Sequence, residues 1–150
     1  MDSTGPRLPR IEEIEFASAL QIDLAQMTRI NGGIYVQDVV LGAGAVVGLD
    51  SRVVADFELF LTDGRLIESV EDLFFNNGCR QVLPGFETGV WGMRSGGQRT
   101  LIVPPDLGYA SNPPRLSLVP PGAVLVYRVT VKATWISRDC LDRSQREPVS

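Results

Sequence analysis

The stretch VLPGFETGVWGMRSGGQRTLIVPPDLGY, Val82 to Tyr109, contains no histidine, no cysteine and no cluster of acids. It does carry a helix signal followed by a strand signal. Pro84 suits a first helical position, where its missing N–H leaves nothing unpaired. Phe86, Val90 and Met93 follow at i, i+4 and i+7, which puts them on one apolar face, and Gly96 is the expected stop. Gly96-Gly97 then opens QRTLIVP, Gln98 to Pro104, a run that reads as a strand.

Upstream the period changes. RIEEIEFASALQIDLAQMTRI (Arg10–Ile30) has Ile14, Ala17, Leu20, Leu24 and Ala25 at roughly helical intervals, interrupted by Phe16 and Ile22, so a helix is expected there. NGG at Asn31–Gly33 marks a turn. IYVQDVVL, SRVVADFELFL and RLIESV are strand-like, with Asp63-Gly64 expected to close a hairpin in a type I′ turn. The longest strand signal is AVLVYRVTVKATWI, whose Val124, Val126, Arg128, Thr130 and Lys132 face water or a second layer. Several strands and one short amphipathic helix make an α+β domain, an antiparallel sheet with a helix packed on one face.

With 150 residues, 44% of them apolar, the chain can bury a core. The net charge of −4 and the scattered arginines exclude a nucleic-acid binder held by phosphate contacts. Absence of histidine removes Ser-His-Asp and Cys-His catalysis and every histidine-containing zinc site. Cys79 and Cys140 are too few for a zinc cluster, and the sequence leaves open whether they pair. No metal or other cofactor is expected.

No run is apolar enough for a helical membrane span, and MDSTGPRLPR lacks the apolar core of a signal peptide. As it stands the chain is expected in the cytoplasm, or outside it if an export segment has been removed. LGAGAVVG has glycines at 42, 44 and 48, off the dinucleotide spacing and with no helix behind it, so it reads as a turn. Glu12/Glu13 and Glu71/Asp72 read as solvated ends. Most aromatics read as core, whereas Tyr109, after PPDLG, is placed to offer an apolar face and a hydroxyl to a ligand.

VLPGFETGVWGMRSGGQRTLIVPPDLGY, followed by LVPPGAVLVYRVTV, resembles the FKBP-type peptidyl-prolyl cis–trans isomerases, the macrolide-binding immunophilins. That family's V-I-x-G-[WF], G-[VM]-x-G-M, R-x-L-x-[IV]-P-x-x-[LA]-[GA]-Y and I-P-P-x-A-x-L-x-[FY] motifs recur here in order. The likeness spans about residues 33–136 and leaves 1–32 as a partly ordered extension and 137–150 as a polar tail. FASALQIDLAQMTRINGGIYVQDVVLGAGA resembles bacterial members, some of them exported or lipid-anchored.

The resemblance implies a twisted antiparallel sheet wrapped across a short helix, with a ligand pocket between them. It assigns Phe86 to the pocket floor and Val82 and Leu83 to a wall, with the Leu83 N–H as a donor. Tyr109 is the hydroxyl donor, Tyr127 and Phe57 are aromatic edges, Leu73 or Phe74 completes one side, and Leu118 and Val119 cover the mouth. Ile67-Glu68 stands where the family carries [FY]-D, which removes an aromatic wall and lengthens the acid. Phe57 replaces a tyrosine, and Ala110 a glycine.

The activity implied is isomerisation of Xaa-Pro bonds during protein folding, with proline-containing polypeptides as partners and macrolides as weak ones. Two rival readings stand beside it. One is a non-catalytic binding or chaperone module that uses the altered pocket or the Pro113-Pro114 loop. The other is a structural domain in which Tyr109 and Phe86 are wholly packed against their own chain.

Overall fold

The structure, a computed structural model, describes residues 10–110, 112–113 and 117–137. Six strands, β1 (Thr28–Ile30), β2 (Ile34–Val40), β3 (Ser51–Leu61), β4 (Leu66–Asn76), β5 (Gln98–Val103) and β6 (Leu125–Ile136), form one sheet. Their order is β1-β2-β5-β6-β3-β4, every neighbouring pair antiparallel. The helix α1 (Pro84–Val90) packs on one face, which gives the expected α+β architecture. No described helix is long and apolar enough to cross a membrane.

Alternation decides which side faces α1. Val53, Ala55 and Leu59 of β3, Leu101 and Val103 of β5, and Leu125, Tyr127, Val129 and Val131 of β6 are buried in a single core with Phe86 and Val90. Glycines bring the helix close. A Cβ on Gly89 would lie 2.6 Å from Leu101 Cδ1, and one on Gly85 would overlap Val103 Cγ1.

Gly96 is not the helix stop. The helix ends at Val90, Trp91 is extended and Gly92 takes φ +88°. The reason lies in tertiary contacts. Arg99 Nη1 donates to the carbonyls of Gly89 (2.8 Å) and Trp91 (3.0 Å), which a longer helix would use itself. Gly92 N–H then donates to Val47 O at 2.8 Å, which turns the chain alongside the 44–47 segment. LGAGAVVG is accordingly a connection between β2 and β3, bridged at Val46–Arg94, with no helix behind it.

The expected helix over Arg10–Ile30 is absent. Three short 3₁₀ turns, Ile11–Glu13, Ser18–Leu20 and Leu24–Gln26, lead into β1. Ile11 is buried with Tyr35, Ile102 and Val124, while Ile14, Phe16, Ile22, Leu24 and Met27 pack around them. The residues that break the helical stripe are thus the ones that cover a flat sheet face, where a strap reaches more apolar surface than a cylinder. Val124 is buried beneath this layer.

The β3–β4 turn also differs from expectation. Gly64 has φ +94°, but Asp63 does not enter the left-handed region that a type I′ turn requires. The Asp63 carboxylate instead accepts from the Arg65 N–H and Nε, each at 3.0 Å, which holds a wider loop. Cys79, in the loop after β4, is disulfide-bonded. Cys140, Pro114, residues 1–9 and the tail from 138 onward lie outside the described residues.

Candidate functional site

Four aromatic rings meet where β3, β4 and β6 cross α1. Phe86 lies edge-on to Tyr127 (centroids 5.1 Å apart), Phe57 (5.4 Å) and Phe75 (5.7 Å), and Phe57 lies edge-on to Tyr127 (5.4 Å). Such T-shaped pairs favour a fixed cluster over sliding rings. Pro84 at the helix start directs the third residue of α1, Phe86, inward onto the sheet.

Around this cluster, half-buried and packed against it, stand Ile67, Leu73, Val82, Leu83 and Tyr109. They come from β4, the segment entering α1, and the loop after β5, so the sheet and helix gather residues far apart in the chain. Two hydrogen-bond donors among them are unengaged. Neither the Leu83 N–H nor the Tyr109 hydroxyl has a partner among the described residues, although the Leu83 carbonyl accepts from Glu87 N–H at 3.0 Å. Burial raises the Tyr109 phenol above its ordinary value of 10.0, and the nearby Glu68 charge adds to this. Tyr127 is raised further, chiefly by burial, then by Tyr109 and Glu68.

β4 owes its orientation to irregular pairing. Register shifts opposite Ala55/Phe57 and Leu59/Phe60 leave Ile67 against the core while Glu68 is exposed beside the tyrosines. Asp72, at φ +56°, marks the first shift, and its N–H donates to Asp56 Oδ1 at 2.9 Å.

Four expected residues fall outside this arrangement or change role. Phe74 is 55% exposed, edge-on to Trp135 and beneath the Arg52 guanidinium, on the other side of β4, so Leu73 is the one that faces the cluster. Leu118 is 70% exposed, whereas its neighbour Val119 is buried in the core. Phe86 is only 2% exposed, a floor roofed by its neighbouring rings and not an open surface. Ala110, at the family's glycine position, sits at φ +51°, in the region that glycine favours.

Sequence reasoning missed the support beneath the site. Arg99 is buried, with Nε 2.7 Å from Asp38 Oδ1 and Nη2 3.3 Å from Oδ2, and the same guanidinium caps α1. Its place in β5, two residues before the inward Leu101 and so on the same face, was the available signal. Glu87 Oε2 accepts from the N–H groups of Gly78 (2.8 Å) and Arg80 (3.0 Å), which fastens the loop preceding Val82 to the helix.

A family model described as FKBP-type peptidyl-prolyl cis-trans isomerase matches residues 44–132, the span that holds these elements except the N-terminal strap, β1, β2 and the end of β6. The chain belongs to this FKBP family. It is 28% identical over 106 residues to FK506-binding protein 3 of Yarrowia lipolytica, covering 69% of this chain and 26% of that protein. The FK506-binding protein of Neisseria meningitidis is 28% identical over 102 residues, covering 65% of this chain and 93% of that one. Among solved structures, FkpA from Escherichia coli matches with a TM-score of 0.66 and 26% identity over 75% of this chain and 53% of that one. The chain thus spans about a quarter of the length of the longer FKBP relatives and nearly all of the short bacterial one.

Proposed function

We propose that this FKBP-family chain accelerates cis–trans isomerisation of Xaa-Pro bonds in polypeptides. The observation that carries the proposal is the pair of unengaged donors, Tyr109 O–H and Leu83 N–H, beside one apolar aromatic cluster. Rotation about an amide breaks no covalent bond, so it needs no nucleophile, base or metal. Its barrier is resonance, about 18–20 kcal/mol. The planar amide is more charge-separated than the twisted one, so an apolar slot disfavours the ground state more than the transition state.

In this reading the prolyl ring lies over the rim formed by Ile67, Leu73 and Val82, with Tyr127 and Phe57 as the edges beneath. Tyr109 and Leu83 donate to substrate carbonyls and hold the chain while the bond turns, a selective stabilisation of the twisted form. Uncatalysed exchange takes about 10–100 s. A hundredfold gain therefore requires some 2.7 kcal/mol, within reach of one or two such contacts.

The test is a relaxation assay on an Ala-Leu-Pro-Phe peptide with wild type and Tyr109→Phe. Acceleration by the wild type that weakens in the variant supports the proposal; a folded wild type that leaves the rate unchanged sinks it. The roofed Phe86 and the aliphatic Ile67 favour a second reading, a binding module that holds proline-containing segments without turning them. That module would bind the same peptide without accelerating it. For macrolides we propose weak binding at most, because Ile67 presents no aromatic wall.

For its setting we propose an oxidising compartment, supported by the disulfide at Cys79. Thiol labelling of protein freshly isolated from its native cells checks this. Two reactive thiols would mean a reducing compartment instead.

A further inference from the structure

Among the described residues no acceptor meets the N–H of Gln81, Val82 or Leu83. The direction of the Leu83 N–H therefore depends on what fixes the chain on either side of it.

Upstream, the turn after β4 is secured to the sheet as far as Asn77, whose N–H donates to Ser51 O at 2.8 Å. Gln81 Oε1 closes the base of the turn by accepting from Asn76 N–H at 2.8 Å, and Cys79 N–H reaches back to Asn76 O at 3.3 Å. The other two N–H groups of the turn, those of Gly78 and Arg80, converge on a single atom, Glu87 Oε2, at 2.8 and 3.0 Å. Gly78 holds φ +96° and Arg80 φ +60°, left-handed conformations that aim alternate N–H groups at one point, where a carboxylate oxygen fits. For Arg80 that conformation is sterically unfavourable, and it persists where a specific contact requires it.

Downstream, Leu83 has φ −58°, and its carbonyl accepts from Glu87 N–H at 3.0 Å. Glu87 thus grips the chain on both sides of the Leu83 N–H, through its side chain at Gly78 and Arg80 and through its backbone at the Leu83 carbonyl. It stands in the first turn of α1, half-buried, with its carboxylate directed out of the helix and onto the turn.

We propose that Glu87 is a positioning residue for the Leu83 N–H, acting through the 78–80 turn and touching no substrate itself. Its catalytic consequence rests on the isomerase reading: a donor swung away from the slot no longer meets a carbonyl of the turning peptide. Tyr109 is fixed by a different segment, where Ala110 N–H donates to Pro105 O at 2.8 Å. Loosening the 78–80 turn therefore removes one donor and spares the other.

Glu87→Ala deletes the two side-chain bonds, keeps the backbone one and leaves α1 favoured, since alanine is the best helix former. Glu87→Gln retains a carbonyl oxygen able to accept both N–H groups. One experiment is backbone nitrogen-15 relaxation on the oxidised chain, with the Cys79 disulfide intact. Order parameters at Gln81, Val82 and Leu83 should stay near about 0.85 in wild type and Glu87→Gln, and drop below about 0.6 in Glu87→Ala. Unchanged order in Glu87→Ala would overturn the proposal, whether or not the chain is an isomerase.

The companion experiment is the relaxation assay, run well below each variant's melting temperature. In Glu87→Ala kcat/KM should fall about two- to tenfold, the share of one donor, and Glu87→Gln should recover most of it. Tyr109→Phe should cost the same factor in Glu87→Ala as in wild type, because the two donors act separately. A full rate in Glu87→Ala would sink the proposal, as would a loss in Glu87→Gln equally deep. So would a Tyr109→Phe effect that vanishes in Glu87→Ala, which would mean a pocket loosened as a whole. A wild type that leaves the rate unchanged would sink the isomerase reading instead, and the order parameters alone would then decide whether Glu87 places the donor.

Discussion

Tyr109 and Phe86 both stand in the same cluster, yet they invite different experiments. Tyr109 is half-buried and its hydroxyl holds nothing in place, so Tyr109→Phe should leave the folded state unchanged. Loss of one donor is worth about 0.5–1.5 kcal/mol, and we expect kcat/KM to fall about two- to tenfold with the melting temperature unmoved, read from the relaxation assay and a thermal melt. Phe86→Ala would be ambiguous, because truncating a buried phenylalanine costs about 3–5 kcal/mol of stability whatever the ring does for catalysis. Arg99 is the buried charge on which the most rests. Arg99→Met leaves the Gly89 and Trp91 carbonyls without their donor, and should destabilise the chain by about 1–3 kcal/mol in denaturant unfolding.

The helix and the strap each depend on a surface that their own residues do not reveal. In an isolated helix Gly89→Ala would be favourable by about 1 kcal/mol. Here the new methyl meets Leu101 at 2.6 Å, so the helix must shift or Leu101 must leave its rotamer. A net loss of about 1–2 kcal/mol is expected from overpacking, and a gain in denaturant midpoint would show that the helix is looser than its contacts indicate. The strap contributes through Ile11 and Leu20, both nearly fully buried. Either residue replaced by alanine should cost about 2–5 kcal/mol, measured by unfolding, while the proposed isomerase activity should persist below the melting point because the strap lies on the opposite face from Tyr109.

All 3 tyrosines of the chain have phenols held above their ordinary value of 10.0. The causes differ: for Tyr35 mainly the hydrogen bond to Glu12, for Tyr109 and Tyr127 mainly burial. Folding thus favours the protonated form of each. Their contribution to stability is complete below pH 10 and drains away as the pH climbs through the folded-state values. Melting temperature should therefore fall steeply between about pH 10 and 12 and stay level from pH 7 to 9. The proposed isomerase rate should be flat from pH 5 to 8, because Tyr109 remains a donor throughout. A bell-shaped profile in that range would mean acid–base chemistry and contradict the amide-rotation mechanism.

Strand periodicity placed β2, β3, β5 and β6 within a few residues of their true bounds, because alternation is local and a half-buried sheet enforces it along its length. The family motifs named the residues that gather around Phe86, since the spacings from Val82 to Tyr127 reflect one recurring arrangement of helix on sheet. Phe74 escaped that reading, because a shifted register in β4 reverses which side a residue faces and no spacing in the sequence announces the shift. The strap escaped it too. Its apolar residues fall at near-helical intervals broken by Phe16 and Ile22, a misleading period, and acquire a purpose only once Tyr35, Ile102 and Val124 form a face for them to cover. Where the helix ends was likewise set from a distance, by an arginine on a strand that reaches the last carbonyls of α1. Local pattern is sufficient where each residue answers to its neighbours in the chain, and long-range contact decides wherever a polar group or an apolar face must find its partner across the fold.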